Sequence, residues 1–331
     1  MSIMSEMKKV KCQYKKVRSI KKEYKHDCNE YIKYNYNNPD IKTKNALEAK
    51  ILRQAHIIEK GMSLSYPRPG FGVEKAKKLL IYISEYVSNG FPISESIAVQ
   101  NSIGVIKSYI EYHKKKGFVP DEVIRLFNNL DFKISDNRNY GINHTTKSEM
   151  DNAVHSEFPE FFSSRHSIRQ FADKNIVIED LEKAVMLAMK APSACNRQSC
   201  KVYFYQDKIK NDRIGELIAG NTGFDNEVKN YLVVTSDISA FYDEFERNQI
   251  YVDAGIFTMA LTQSLHYYGI ASCILQNGEF SDKDRKLRNI CGNIPKNEKI
   301  VLFLAIGYYK DEFAYAISNR KNLSDILKIE N

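Results

Sequence analysis

Several features are missing from this 331-residue sequence, and each absence removes a class of protein. The longest apolar run, Ile300 to Ile306, is far shorter than the ~20 residues a membrane-spanning helix needs. Met1 to Gln13 contains no apolar core of a secretory signal. The six cysteines (Cys12, Cys28, Cys195, Cys200, Cys273 and Cys291) form no C-x-x-C pair, and no His pair stands beside them at metal-ligand spacing. A zinc site is therefore not expected. Reduced thiols in a soluble cytoplasmic protein are the default expectation. There is no internal repeat, and no helix-turn-helix, zinc-finger or aromatic RNA-binding pattern, so nucleic acid is not an expected partner.

Acidic residues are scarce in one half only. Residues 1–150 hold 27 Lys and Arg against 16 Asp and Glu, whereas residues 151–331 hold 22 against 25. The net charge of +8 is thus carried by the N-terminal half. Such a surface suits nucleic acid, an anionic membrane or an acidic substrate; it equally suits a plain, Lys-rich solvated face. Hydrophobic residues make up 43% of the chain, enough to fill cores for two domains of ordinary size.

Local pattern divides the chain at about residue 150. Residues 8–25 are rich in Lys, Arg and Tyr and read as a polar helix or a poorly ordered arm. Asn35 to Asp40 is a turn cluster. Leu47, Ile51, Leu52, Ala55 and Ile58 then fall on one helical face, with Gly61 placed to stop the helix in the left-handed conformation. The stretch from Met62 to Gly72, with two prolines and two glycines, is a rigid loop. His56, Glu59, Lys60 and Arg68 gather around it, so it is either a substrate-facing loop or an ordinary connection between helices. Further amphipathic helices are predicted over Val73 to Tyr86, Ser94 to His113 and Asp121 to Leu130. No alternating strand pattern precedes residue 150, so the N-terminal region is predicted to be all-helical. Polar residues 128–147 form the linker.

Beyond the linker, helix and strand alternate. A helix is predicted over Val177 to Lys190, with Glu179 and Asp180 in its first turn. Strands are predicted over Lys201 to Tyr205, Tyr231 to Thr235, Ile270 to Leu275 and Ile300 to Tyr308. A long helix, Tyr251 to Tyr268, is apolar on most sides, as expected of a buried or interface helix.

Three short stretches carry the chemistry. Arg165-His166-Ser167-Ile168-Arg169-Gln170-Phe171 sets two guanidinium groups four residues apart, and arginine forks fit phosphate oxygens in bidentate fashion. Ala191-Pro192-Ser193-Ala194-Cys195-Asn196-Arg197-Gln198 supplies small residues that let a backbone approach a flat ring, with amides that offer both donor and acceptor. Asn319-Arg320-Lys321 adds cations near the C-terminus.

Together these stretches resemble the flavin-dependent nitroreductase family, whose pattern runs R-x-S-x-R-x-F, then A-P-S-x-x-N-x-Q, then a late basic pair. The resemblance covers about residues 160–328; Ser199 and Cys200 depart from it where Pro and a large aromatic are common. It implies an α+β fold, a mostly antiparallel sheet flanked by helices, in residues 151–331, preceded by a helical domain or extension in residues 1–150. It implies FMN as cofactor and NADH or NADPH as co-substrate. It also implies a homodimer with the flavin at the interface and a small-molecule acceptor, a nitro compound, a quinone or another; the basic N-terminal half favours an anionic one. Arg165, His166, Ser167, Arg169, Arg320 and Lys321 map to the phosphate end. Pro192, Ser193, Ala194, Asn196 and Gln198 map to a loop supplied by the second subunit. Leu275 and Gln276 map beneath the reactive ring, on a strand bounded by Gly269 and Gly278. Val252-Asp253-Ala254-Gly255 resembles the start of the interface helix. Because the flavin carries the chemistry, no side chain is assigned a catalytic role, and Cys273 is expected to be a buried small residue. The competing expectation is a module that binds flavin without turning it over.

Overall fold

The computed structural model describes residues 3–34, 40, 42–130, 139–241, 244–277 and 281–330. Residues 35–39 of the expected turn cluster, residues 131–138 of the expected linker and Gly278 lie outside them.

The N-terminal region is a layer of helices: α1 (Ile3–Tyr34), α2 (Lys44–Met62), α3 (Val73–Ser88), α4 (Ile97–Lys115) and α5 (Asp121–Asn128). Thr43 opens α2 by accepting from the Ala46 N–H, and Ser96 opens α4 by accepting from the Val99 N–H, the usual repair for unpaired first-turn donors. Leu47, Ile51, Ala55 and Ile58 of α2 face Leu79, Ile83, Val99, Ile103 and Ile106 in a core closed among these helices. Gly61 does not stop α2. It lies inside the helix, because a Cβ there would sit 2.3 Å from the Phe71 ring; the need is for close approach, not for a left-handed turn. The long α1 meets the rest of the chain through Asp27, which pairs bidentately with Arg247 at 2.8 Å, and through Ser19, which donates to Glu244 at 2.6 Å.

The C-terminal region contains β1 (Ile142–Thr146), α6 (Lys147–Val154), α7 (Phe158–Ser164), α8 (Ile178–Ala188), β2 (Cys200–Tyr205), α9 (Lys208–Leu217), β3 (Asn230–Asp237), α10 (Gln249–Tyr267), β4 (Ile270–Gln276), α11 (Ser281–Cys291), β5 (Glu298–Tyr308), β6 (Glu312–Ala316) and the short α12 (Leu323–Ile326). Four strands form an antiparallel sheet in the order β2-β3-β5-β4, so the fold is α+β as the resemblance implied. One face carries Ile168, Phe171, Val233, Cys273 and Phe303. The other packs on α8 and α10 through Leu181, Ala184, Leu232, Phe257, Leu261 and Leu304.

Two strands, β1 and β6, were not expected. β1 lies before residue 150 and pairs with β6, Ile142 opposite Ala316 and Thr146 opposite Glu312. Its sequence, Ile-Asn-His-Thr-Thr, lacks alternating apolar residues, so its conformation comes from a partner some 170 residues away. The ribbon ties the end of the helical region to the C-terminal part of the chain, and β6 also packs on α2.

Candidate functional site

The Arg165–Phe171 segment leaves α7 and runs beside the edge strand β4. Ile168 N–H donates to the Ser272 carbonyl at 3.0 Å, and Ala172 N–H donates to the Tyr308 carbonyl at 2.9 Å. Glycine at 307 is required here, since a Cβ would meet Phe171 at 2.8 Å. The segment is therefore rigid, and alternation puts Ile168 into the core.

Arg169 is 5% exposed, yet its guanidinium makes one hydrogen bond, Nη1 to the Ser167 carbonyl at 3.2 Å, and its Nε has none. Among the described residues none of Lys60, Arg165, Arg169 and Arg320 forms an ion pair with a carboxylate. Cations gathered without counter-ions, one of them buried, are costly unless an anion joins them. His166 stacks on Tyr315 with ring centroids 3.8 Å apart. Burial, aided by Arg165 and Arg320, holds it down at about 4, so it is neutral at physiological pH. Cys273 is buried, and burial pushes its thiol up even with Arg169, Lys60 and Arg165 nearby; it is the inert small residue expected.

Sequence reasoning missed His266. It is buried near the end of α10, linking Ser164 Oγ at 2.8 Å to the Tyr309 hydroxyl at 2.7 Å, and so steadies the turn that presents Arg165.

The α2 helix reaches the same place. Gln170 Nε2 donates to the Ser63 carbonyl at 2.8 Å. Lys60 Nζ donates to the Gly220 carbonyl and lies 5.5 Å from the Phe224 ring centroid; burial and then Arg169 lower its pKa. Glu59 is 5% exposed and accepts from Ser318 Oγ at 3.3 Å. Burial raises its pKa to about 7, against the opposing pull of Ser318, Arg169 and Arg320. Of the four polar residues expected around this loop, His56, Glu59 and Lys60 thus face the arginines, while Arg68 is exposed.

The C-terminal pair divides. Arg320 stays exposed beside Arg165 and His166, its Nη1 donating to the Ser318 carbonyl at 2.6 Å. Lys321 pairs with Glu48 of α2 at 2.8 Å, where Glu48 also accepts from Ser96 at 2.6 Å. Leu275 is buried beside Gly220, and Gln276 is exposed at the strand end with its carbonyl accepting from Ala219 N–H at 3.4 Å.

Pro192 to Gln198 lies elsewhere. Ala194 N–H donates to the Asp253 carboxylate (3.2 and 3.3 Å), and Ser193 Oγ accepts from Gln198 N–H at 3.0 Å. Gln198 Nε2 in turn donates to the Asn196 carbonyl at 3.3 Å. Cys195, Asn196 and Gln198 hold left-handed φ values of 51°, 54° and 51°. Such a conformation costs ~1–2 kcal/mol per residue, a strain typical of a loop shaped for a purpose. Arg197 secures it through a bidentate pair with Glu246 at 2.7 and 2.9 Å. The loop borders a cavity of about 730 Å³ between α8, β2 and α10, lined mostly by apolar residues such as Val185, Met189 and Phe257.

These placements set the two main motifs apart. Asp253 anchors the Pro192 loop at the start of α10, and His266 anchors the arginine segment at its end. Thirteen residues of helix separate them, roughly 20 Å at 1.5 Å per residue. One chain brings Arg165, His166, Ser167, Arg169, Arg320 and Leu275 together; it does not bring Pro192, Ser193, Ala194, Asn196 or Gln198 to them.

Fold and site define an α+β protein with an unneutralised cationic cradle at a sheet edge. Comparison with known proteins shows what this chain is similar to. The nitroreductase family model matches residues 162–235, a span that contains both the Arg165–Phe171 and Ala191–Gln198 stretches. Residues 162–235 of this chain are thus similar to the nitroreductase family. It is 29% identical over 152 residues to a protein of Archaeoglobus fulgidus named for NADH dehydrogenase or NAD(P)H nitroreductase activity, covering 45% of this chain and 83% of that protein. Among solved structures it is similar to an FMN-dependent nitroreductase of Clostridium difficile, with 21% identity, 52% and 98% of the two chains covered, and a TM-score of 0.43. A nitroreductase-type protein of Desulfovibrio desulfuricans, solved with FMN, gives 21% identity, 53% and 99% coverage, and a TM-score of 0.44. Residues 1–150 lie outside the family match.

Proposed function

We propose that the protein is an FMN-dependent oxidoreductase that takes hydride from NADH or NADPH and delivers it to a small-molecule acceptor, working in the cytoplasm as a homodimer with flavin at the subunit interface. The observation that carries this reading is the buried guanidinium of Arg169, unsatisfied at Nε, beside Arg165 and Arg320, which have no carboxylate partners among the described residues. A phosphate dianion with a polyol chain fits that donor set. The names of the relatives, NAD(P)H nitroreductase and FMN-dependent nitroreductase, favour the same chemistry.

In this reading Arg165, Ser167, Arg169 and Arg320 hold the phosphate and ribityl chain. Backbone near Leu275 and Gln276 supports the ring. Pro192, Ser193, Ala194, Asn196 and Gln198 come from the second copy. The ~20 Å between the two motif groups within one chain supports that assignment, and so do the exposed Val252, Ile256 and Met259 on α10. Bound flavin supplies two-electron redox chemistry. The chain's own residues bind and orient it, and His166, neutral and stacked on Tyr315, walls off one side. Residues 1–150 serve as a helical extension docked on residues 151–331, with β1 crossing between them.

One observation favours the second reading, a module that binds flavin without turnover. The α2 helix lays Glu59 and Lys60 against the arginine segment, and Lys60 reaches the Gly220 carbonyl beside Leu275, so the helical region covers part of the site a nicotinamide would use. Steady-state oxidation of NADH or NADPH with menadione or nitrofurazone as acceptor separates the two. Turnover supports the oxidoreductase, and tight FMN binding with no turnover for either nucleotide supports the module.

A further inference from the structure

A cavity of about 170 Å³ opens between α2, α4 and the turn at 318–320. Its polar lining is His56, Glu59, Asn101, Ser102, Ser318, Asn319 and Arg320. Asn101 is 5% exposed, its side-chain oxygen is fully buried, and its amide makes no hydrogen bond among the described residues. A buried amide oxygen left without a donor costs ~1–3 kcal/mol, so a donor belongs here. Ser102 Oγ gives its proton to the Ala98 carbonyl at 2.8 Å and keeps its lone pairs open. Arg320 offers only donors, and Glu59 is already an acceptor for Ser318. The wall is thus a mixture of donors and acceptors around apolar Leu52, Ala55 and Val105. A cavity of about 150 Å³ accommodates one six-membered ring. This one has room for a sugar ring or a five-carbon chain, and not for a whole nucleotide.

We propose that this cavity is a binding subsite for a phosphorylated polyol, with hydroxyl groups bridging Asn101 and Glu59 and the phosphate against Arg320. A hydroxyl both gives and accepts, which is what the Asn101 amide and the Ser102 lone pairs ask for; the anion supplies the missing counter-charge of Arg320. Two sources carry this chemistry: the ribityl phosphate of the cofactor, and a sugar phosphate on the acceptor. Only the choice between them rests on the flavin reading. In either case the helical region outside the family match supplies part of the working site.

The test uses the full chain with ribose 5-phosphate as probe, read by calorimetric titration and thermal shift, and FMN and riboflavin read by fluorescence quenching. Asn101→Leu removes the unpaired amide at constant size. His56→Gln, on the open side of the cavity, guards against a folding failure of the first variant. Wild-type protein is expected to bind ribose 5-phosphate, and both variants to bind it at least tenfold more weakly. If the probe displaces FMN and N101L weakens FMN but not riboflavin, the cavity holds the cofactor tail. If the probe binds alongside FMN, with FMN affinity intact in N101L, it holds the acceptor. No binding of ribose 5-phosphate to wild-type protein, with unchanged FMN affinity in both variants, overturns the proposal. Failure of wild-type protein to bind any flavin removes the oxidoreductase reading and leaves the ribose 5-phosphate result to decide the cavity.

Discussion

Replacing Glu59 by Gln is expected to stabilise the protein at alkaline pH and to leave it unchanged at acid pH. Glu59 is 5% exposed and lies where the helical layer meets the arginine segment. Burial raises its pKa from 4.5 to about 7, outweighing Ser318, Arg169 and Arg320. Between those two values the folded protein keeps a proton that the unfolded chain has released. Stability therefore falls as pH rises through this window, and above pH 7 the whole cost of the buried carboxylate stands. A shift of that size corresponds to about 3 kcal/mol. Glutamine keeps the acceptor for Ser318 and removes the charge, so E59Q recovers up to about that amount at pH 8.5 and nothing at pH 4.5. Urea denaturation of both proteins at the two pH values measures it. A loss of stability in E59Q at pH 8.5 would refute the reasoning, because it would mean that Glu59 is ionised and held by Arg320 or Arg169 as an ion pair.

Three further outcomes are expected. Arg169→Met relieves a buried cation that lacks a counter-ion, so it leaves the apoprotein no less stable by urea titration while weakening FMN at least tenfold, about 1.4 kcal/mol in fluorescence titration. The double change Ile256→Glu and Met259→Glu puts charges on the exposed apolar side of α10; light scattering after gel filtration is expected to report a monomer with reduced flavin content. Lys321→Ala strands the 6% exposed Glu48, lowering stability by about 1–3 kcal/mol in urea while FMN affinity stays within about twofold, since the charge of Lys321 is taken up by Glu48.

Much of the fold could be read from local pattern. The four strands predicted at 201–205, 231–235, 270–275 and 300–308 fall within β2, β3, β4 and β5, because their runs are rich in β-branched, aromatic and other apolar residues, most deeply buried in the central β3 and β5. The helix faces around Leu47, Leu79 and Ile103 were legible from helical spacing of apolar residues that pack into one core. The β1–β6 ribbon was not, since Ile142 to Thr146 has no strand periodicity and is held by non-local pairing. Gly61 has a composition that suits a helix stop, and only the Phe71 ring explains its place inside α2. At the site, the arginine pattern named the cluster. The approach of His56, Glu59 and Lys60 from α2 depends on how two cores dock, which no short spacing encodes. The separation of the Pro192 loop from the arginines likewise follows from the length of α10.

The most direct measurement of the central claim is the absorbance spectrum of the purified protein, followed by anaerobic addition of NADPH or NADH. The account predicts the twin bands of bound oxidised flavin and their bleaching by at least one nucleotide. Absence of flavin, with none taken up when FMN is added, would contradict it.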